Sequence, residues 1–131
     1  MTVAIVCSAL LGLLVFGLGL AVSLTRGSSN TVIGYNADPT DRLHKLCRAH
    51  GNAAEYVPIM AVLMLIAGAR NPSTWMIWTF IAATVFRYCH AAGMVFPASL
   101  GQPNALRFVG ALGTYLAGFA LVVAVLLRAN P

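Results

Sequence analysis

The feature that most constrains this chain is a long apolar segment at its N-terminus, where no charged side chain precedes Arg26. At about 1.5 Å of rise per helical residue, a helix of this length exceeds the hydrocarbon core of a bilayer, which is about 30 Å thick. The composition agrees, since 60% of the 131 residues are hydrophobic and 8% are charged, against roughly 25% charged in soluble domains. These proportions exclude a water-soluble globule and predict an integral membrane protein.

A cleaved signal peptide is the alternative explanation for the first segment. No basic stretch precedes it, however, and it is longer than the usual apolar core of a signal peptide, about 7–15 residues. We therefore expect the segment to remain as the first span. Polar stretches rich in Gly, Pro, Ser and Asn divide the rest of the chain. The four predicted spans lie at about 1–25, 46–69, 75–96 and 105–127.

The first polar stretch contains a helix-start signal, Asp38 followed by Pro39. A carboxylate at this point caps free amide groups, and proline suits the first helical position. The second helix is therefore predicted to begin near residue 39. In all, residues 1–131 are predicted to form one all-α membrane domain, a four-transmembrane-helix up-down bundle.

The basic residues predict the orientation of this bundle. One side has five of them: Arg26, Arg42, Lys45, Arg48 and Arg107. The other side has two, Arg70 and Arg128. Because Lys and Arg accumulate in cytoplasmic loops, both termini are expected to face away from the cytoplasm. The net charge of +5 follows from this bias, and no basic run is interleaved with aromatic residues, so no nucleic-acid partner is expected.

Polar side chains interrupt the second and third spans at matching depths. The second span carries a stripe on one helical face, at i, i+4, i+7 and i+8: Arg48, Asn52, Glu55 and Tyr56. On the third span, which returns in the opposite direction, Arg87 lies as deep as Glu55, about 13.5 Å from the cytoplasmic end at the helical rise. His90 lies one turn nearer that end. Two antiparallel spans are thus predicted to bring ionic groups together.

An isolated charge at such a depth costs at least about 2.5–3.5 kcal/mol, so Glu55 and Arg87 are expected to partner one another or a ligand. One explanation is a structural ion pair that fixes the helix register. A register pair needs one acid and one base, whereas here two arginines, a histidine, an asparagine and a tyrosine surround a single carboxylate. The surplus positive charge predicts a small polar ligand that carries carboxylates and enters from the cytoplasm.

Other reactive side chains point to no additional site. His50 lies about 200° around the helix from Arg48, away from the stripe, where it is free to face another subunit. His44, Cys47 and His50 do not share one face, so no metal site is expected. The three cysteines form no evident disulfide framework. Small residues of the fourth span share a face that predicts close helix packing, within or between subunits: Gly110, Thr114, Ala117, Ala120 and Ala124.

The stretch Arg48-Ala-His50-Gly-Asn52-Ala-Ala-Glu55-Tyr56-Val-Pro58 resembles the second-helix signature of the MAPEG family, membrane-associated proteins in eicosanoid and glutathione metabolism. The runs Arg87-Tyr88-Cys89-His90 and Gln102-Pro103-Asn104 are similar to later family motifs. The resemblance covers the whole chain and is closest to short bacterial members. It implies a homotrimer in the bacterial inner (cytoplasmic) membrane, with glutathione as co-substrate bound between neighbouring subunits near the cytoplasmic face.

The resemblance also implies roles for individual residues. The glutathione contacts would be Arg26, Arg48, His50, Asn52, Glu55, Tyr56, Arg87 and His90. His50 would reach the ligand from the adjacent chain, and Glu55 would take the ligand's ammonium group while arginines take its carboxylates. The catalytic role, stabilising the thiolate, would fall to Arg107 or Arg87.

Two positions depart from the family pattern. Met94 stands where family enzymes commonly carry a tyrosine, and Arg107 lies nearly one turn after the place of the family's thiolate-stabilising arginine. The implied function is a membrane-bound glutathione-dependent transferase or peroxidase acting on lipophilic electrophiles. The departures leave open a non-catalytic glutathione- or lipid-binding trimer. A third possibility is a proton- or ion-conducting assembly built on Glu55, Arg87 and His90.

Overall fold

The computed structural model describes residues 1–129, which form four α-helices in an antiparallel bundle. The helices are α1 (Thr2–Ser29), α2 (Arg42–Gly68), α3 (Thr74–Val95) and α4 (Ala105–Ala129). The described residues contain no strand. The most extensive packing joins α1 to α2 and α3 to α4, and α2 also contacts α3 and α4. The prediction of four helices without strands is confirmed for this part of the chain.

Three of the four helices, α1, α2 and α4, are long and apolar enough to cross a membrane. The chain is therefore an integral membrane protein. The exception is α3, a helix of 22 residues. It carries Arg87 and His90, both of which are buried between helices and lower its apolar character. Whether α3 also crosses the bilayer remains a prediction, as does the orientation of the bundle.

The first loop is shorter than predicted at its N-terminal end. Helix α1 continues past Arg26 and ends at Ser29. Asn30 then adopts a left-handed conformation with a φ of 51°, and its amide N–H donates to the Arg26 carbonyl. Asparagine tolerates this conformation better than most residues, which makes it a common helix terminator.

The prediction that α2 begins near residue 39 is wrong, because Asp41 is the N-cap and Arg42 the first helical residue. The Asp41 Oδ1 accepts a hydrogen bond from the amide of His44 at 2.7 Å. Asp38 instead closes a turn, accepting from both the amide and the hydroxyl of Thr40 at 2.8 Å. These hydrogen bonds hold the pKa of Asp38 below its ordinary value. The sequence thus offers two possible N-cap residues for α2, Asp38 and Asp41, and the structure uses Asp41.

Replacing Asp41 with alanine is expected to lower the free energy of unfolding by about 1 kcal/mol, because the first turn of α2 loses its side-chain acceptor. Thermal unfolding of the protein in detergent, followed by circular dichroism, measures this loss. Asp38→Ala is the matched control, since its side chain bonds only within the turn and should cost less. Equal losses in the two variants would contradict the assignment of Asp41 as the cap.

Glycines allow α3 and α4 to pack closely. A Cβ atom added to Gly110 would meet the backbone of His90, and one added to Gly113 would meet the ring of Phe86. The predicted small-residue face of α4 is therefore a packing seam within this chain. Four of its predicted members, Gly110, Thr114, Ala117 and Ala124, are buried, together with Gly113, which was not among them. The fifth predicted member, Ala120, is half-buried.

Candidate functional site

Among residues 1–129, Arg87 on α3 is the largest fully buried side chain, with 1% of its surface exposed. Its Nη2 donates to Asn52 Oδ1 at 2.8 Å, and its guanidinium carbon lies 5.1 Å from the centroid of the Tyr56 ring. Both contacts stabilise a buried cation. Its Nε, however, has no hydrogen-bond partner among the described residues. A buried guanidinium that keeps an unused donor is suited to bind an additional acceptor.

A pair of tyrosines extends this cluster from α2 to α4. The hydroxyls of Tyr56 and Tyr115 are 3.0 Å apart, and their rings meet edge to face with centroids separated by 5.8 Å. Tyr115 was not among the predicted site residues. The available signal was that Tyr115 is the only tyrosine in the apolar sequence of α4 and directly follows Thr114 on the small-residue face.

His90 lies beside Arg87 on α3 and is also buried. Its Nδ1 hydrogen-bonds the backbone carbonyl of Arg107 at 3.0 Å. Because a carbonyl only accepts, the ring must carry a proton on Nδ1, and in the neutral imidazole Nε2 is then an acceptor. This bond fixes the tautomer of His90 and ties α3 to the first turn of α4.

These side chains enclose a small polar chamber of about 20 Å³. It is lined by Asn52, Tyr56, Arg87, His90, Ala111, Thr114 and Tyr115. A space of this volume accommodates about one water molecule and is too small for a tripeptide. Four of the predicted site residues, Asn52, Tyr56, Arg87 and His90, therefore lie together, but within one chain they do not enclose a full ligand site.

Two larger spaces adjoin the polar chamber. A cleft of about 800 Å³ shares His90 and Ala111 with it and extends along the loop before α4, past Arg107. On the other side, an apolar groove of about 200 Å³ shares Tyr56, Thr114 and Tyr115 with the chamber. The groove is lined by aliphatic and aromatic residues of α2 and α4, among them Ile59, Leu63 and Phe119. The polar chamber thus separates a wide cleft from an apolar groove.

Glu55 does not contact Arg87 directly within the described chain. The acceptor for Arg87 is Asn52, and Glu55 lies on the exposed face of α2 together with Arg48. Asn52 and Glu55 are three residues apart, so their side chains are about 60° from each other around the helix axis. This angle is enough to direct one side chain inward and leave the other outside. The expected pairing of Glu55 with Arg87 is therefore replaced, within one subunit, by an amide acceptor.

The other predicted contacts, His50 and Arg26, lie away from the polar chamber. His50 is half-buried against α1, with its Nε2 only 3.1 Å from the position that a Cβ atom would occupy on Gly19. Arg26 lies at the end of α1, where Nη1 donates to the Gly34 carbonyl at 2.8 Å and Nη2 lies 3.7 Å from the Cys47 sulfur. The displacement of His50 from the stripe agrees with its helical spacing.

Arg107 is held by the loop that precedes α4. Its Nη1 donates to the Leu100 carbonyl at 3.0 Å and its Nη2 to the Gln102 carbonyl at 3.2 Å, while Asn104 Oδ1 accepts from its amide at 2.9 Å. The guanidinium borders the 800 Å³ cleft, but both of its Nη atoms already donate to these loop carbonyls. Met94, the second departure from the family pattern, is buried in α3 and offers no hydroxyl.

Comparison with known proteins identifies relatives in bacteria. A stretch of 45 residues is 40% identical to the inner membrane protein YecN of Escherichia coli K12, covering 34% of this chain and 34% of that protein. YecN of Escherichia coli O6:H1 matches over the same share. The match to these curated relatives therefore spans about a third of their length. A broader match, to the MAPEG family, covers residues 4–127. Because that match includes nearly all of α1 to α4, the chain belongs to the MAPEG family.

Proposed function

We propose that this protein is a glutathione-dependent transferase or peroxidase that acts on lipophilic electrophiles dissolved in the bilayer. Membership of the MAPEG family supports the class, because the family includes glutathione transferases and peroxidases. The observation that carries the proposal is the buried Arg87, whose Nε lacks a partner among residues 1–129, in a polar chamber that adjoins both a wide cleft and an apolar groove.

The charges of the candidate site complement those of glutathione. The tripeptide carries two carboxylates and one ammonium group, and the residues implied by the family resemblance supply three arginines and one carboxylate. Arg48 and Glu55 share the exposed face of α2, and Arg87 lies behind them. Arginine binds carboxylates with two parallel hydrogen bonds, so the surplus of cations suits the ligand's two acidic ends.

The exposure of Glu55 supports an assembly of several subunits. A carboxylate on the outer face of a membrane helix costs at least about 2.5–3.5 kcal/mol if it meets lipid. Glu55 is exposed on α2, a helix apolar enough to cross the membrane. We propose that a neighbouring copy covers this face in a homotrimer, with glutathione between the subunits near the cytoplasmic side. The relative YecN is an inner membrane protein, and we propose the same location for this protein.

The proposed transferase or peroxidase reaction requires glutathione in its thiolate form. A thiol with a pKa of about 8.5 is largely protonated at neutral pH, and a nearby positive charge lowers that value. Of the two candidates, we assign this role to Arg87, because Arg107 already donates to two loop carbonyls. The apolar groove beside Tyr56 and Tyr115 then holds the lipophilic electrophile. In this proposal the thiolate beside Arg87 and the electrophile in the groove lie on opposite sides of one tyrosine pair.

A glutathione-binding isotherm in detergent tests this proposal. Arg48→Ala and Glu55→Gln are each expected to weaken binding at least about tenfold, because each removes a charge-assisted contact. Arg70→Ala is the matched control, since Arg70 is exposed beyond the far end of α2. Size-exclusion chromatography checks that the oligomer is intact. Wild-type protein that binds no glutathione at millimolar concentration would refute the proposal.

A non-catalytic glutathione-binding protein is the second candidate. Two features favour it: the Arg107 guanidinium is already engaged by loop carbonyls, and the buried Met94 stands where family enzymes commonly carry a tyrosine. This candidate differs from the first in turnover alone. Conjugation of a chlorodinitrobenzene-type substrate or reduction of a lipid hydroperoxide by the wild-type protein would exclude it.

A further inference from the structure

The hydrogen-bonded tyrosine pair lies where the polar chamber meets the apolar groove. Tyr56 on α2 and Tyr115 on α4 line both spaces, and their hydroxyl oxygens are 3.0 Å apart. Each hydroxyl has one proton to donate, so their mutual hydrogen bond uses one of the two protons. Neither hydroxyl has another hydrogen-bond partner among residues 1–129. The pair therefore retains one unused O–H donor.

The buried arginine determines which tyrosine keeps this donor. The guanidinium carbon of Arg87 lies 5.1 Å from the centroid of the Tyr56 ring. A nearby cation favours the hydroxyl orientation in which the oxygen faces the charge and the proton points away from it. Tyr56 then donates to Tyr115, and the proton of Tyr115 is the free one. Accepting this bond makes Tyr115 a stronger donor, because successive hydrogen bonds polarise one another.

The rest of the groove, among the residues that the structure describes, offers no competing side-chain donor. Thr114 lines the groove, but its hydroxyl donates to the Gly110 carbonyl at 2.7 Å. The other lining residues have no N–H or O–H in their side chains: Ile59, Met60, Leu63, Gly118, Phe119 and Val122. Apolar walls with one O–H donor suit an aliphatic molecule that carries one acceptor oxygen. Tyr115 is accessible to such a molecule, since 51% of its surface is exposed within this chain.

We infer that Tyr115 makes the groove selective for aliphatic α,β-unsaturated ketones and aldehydes, by donating a hydrogen bond to their carbonyl oxygen. The inference rests on the proposed function, in which the groove holds the electrophile and glutathione supplies the thiolate. A carbonyl oxygen accepts hydrogen bonds and donates none, so it matches a site whose free group is a donor. Tyr115 follows the last of the MAPEG-like motifs, which ends at Asn104.

This hydrogen bond acts on the oxygen at which charge develops during the reaction. The thiolate forms a C–S bond to the β-carbon, and the π electrons of the C=C bond shift until the carbonyl oxygen becomes an enolate. Tyr115 stabilises that negative charge, as an oxyanion donor does. The α-carbon then takes a proton from water, and the carbonyl re-forms. The net reaction adds the S–H of glutathione across the C=C bond, and nothing is oxidised or reduced.

The test compares two aliphatic electrophiles in wild type and Tyr115→Phe. Non-3-en-2-one develops charge on its carbonyl oxygen, whereas 1-iodooctane releases iodide and has no oxygen. Tyr115→Phe is expected to lower the ratio of kcat/KM for the enone to kcat/KM for the iodide about 100-fold, the typical cost of losing one oxyanion donor. Tyr88→Phe is the matched control, because the Tyr88 hydroxyl donates to the Leu10 carbonyl of α1. It should keep the wild-type ratio.

A second measurement needs no turnover. Nonan-2-one, a saturated ketone, is added to the protein in detergent, and infrared spectroscopy follows its carbonyl stretch. The frequency of the bound ketone should be lower in wild type and in Tyr88→Phe than in Tyr115→Phe, because a hydrogen bond to the oxygen weakens the C=O bond. Equal frequencies in wild type and Tyr115→Phe would overturn the inference.

The two measurements separate this inference from the proposed function. If wild type conjugates both electrophiles and Tyr115→Phe keeps their ratio, the inference fails and the proposed function stands. If Tyr115→Phe slows both reactions by the same factor, the tyrosine acts through the shape of the groove and the inference again fails. If wild type conjugates neither, the proposed function fails, and the infrared comparison alone decides whether Tyr115 binds a carbonyl group.

Discussion

Replacing Arg87 with methionine is expected to reduce glutathione affinity at least about 100-fold, which corresponds to about 2.8 kcal/mol. The substitution removes a buried cation whose Nε has no partner in the described chain, so the glutathione thiolate that we assign to Arg87 loses a charge-assisted contact inside an apolar environment. Titration with glutathione in detergent measures the loss. Arg87→Lys keeps the charge but not the planar fork, and an intermediate loss of about tenfold is expected.

The stability of the same variant separates a binding role from a structural one. A buried charge is costly to desolvate, and its replacement by an apolar side chain of similar volume is often neutral or stabilising. Arg87→Met leaves the Asn52 amide without its donor, so the double variant Arg87→Met with Asn52→Leu removes both partners. We expect this double variant to melt at or above the wild-type temperature while it binds no glutathione.

The opposite result would support the structural explanation. If Arg87→Met bound glutathione as tightly as wild type but unfolded at a much lower temperature, the arginine would serve only to hold α2 against α3 through Asn52. That outcome would support the structural explanation considered from the sequence, in which a buried pair fixes the helix register, with the Asn52 amide in place of the Glu55 carboxylate. Arg70→Met, at an exposed position, controls for the loss of one positive charge from the protein.

Much of the fold could be predicted because it depends on local properties of the sequence. The length of each apolar segment, interrupted by Gly and Pro, gives the helix count and most boundaries. Helical spacing and depth, which need no tertiary information, predicted that the polar stripe of α2 lies near Arg87, but they paired this arginine with Glu55 and not with Asn52. The start of α2 could not be predicted from local sequence, because Asp38 and Asp41 are equally able to cap a helix. Only the geometry of the turn that Asp38 forms with Thr40 decides between them.

The composition of the polar chamber was less predictable, because it depends on how the helices rotate about their axes. Tyr115 enters the chamber from α4, and no spacing rule within one helix relates it to Tyr56. Glu55 belongs to the same stripe as Asn52 but remains outside. The stripe is wider than the interface that buries it, so its inner edge packs against α3 and its outer edge is left for a ligand or a neighbouring subunit.

The position of this interface leads to a second large effect, on stability. Gly110→Ala is expected to lower the free energy of unfolding by about 1–3 kcal/mol, as overpacking does in closely packed cores. An added Cβ atom would collide with the backbone of His90, which cannot move aside as a side chain can. Because His90 bonds the Arg107 carbonyl, separation of α3 from α4 should weaken glutathione binding in the same variant.

Two neighbouring glycines on α4 provide graded controls for this prediction. Gly113→Ala would meet the ring of Phe86, a side chain that can shift, so a smaller loss is expected. Nothing lies within 4 Å of a Cβ atom added to Gly118, and Gly118→Ala should be neutral or stabilising by up to about 1 kcal/mol, because alanine favours the helix. Melting temperatures in detergent should therefore rise in the order Gly110→Ala, Gly113→Ala, Gly118→Ala. If Gly110→Ala and Gly118→Ala had the same melting temperature, α3 and α4 would not be in close contact at His90. The polar chamber could then not have the lining described.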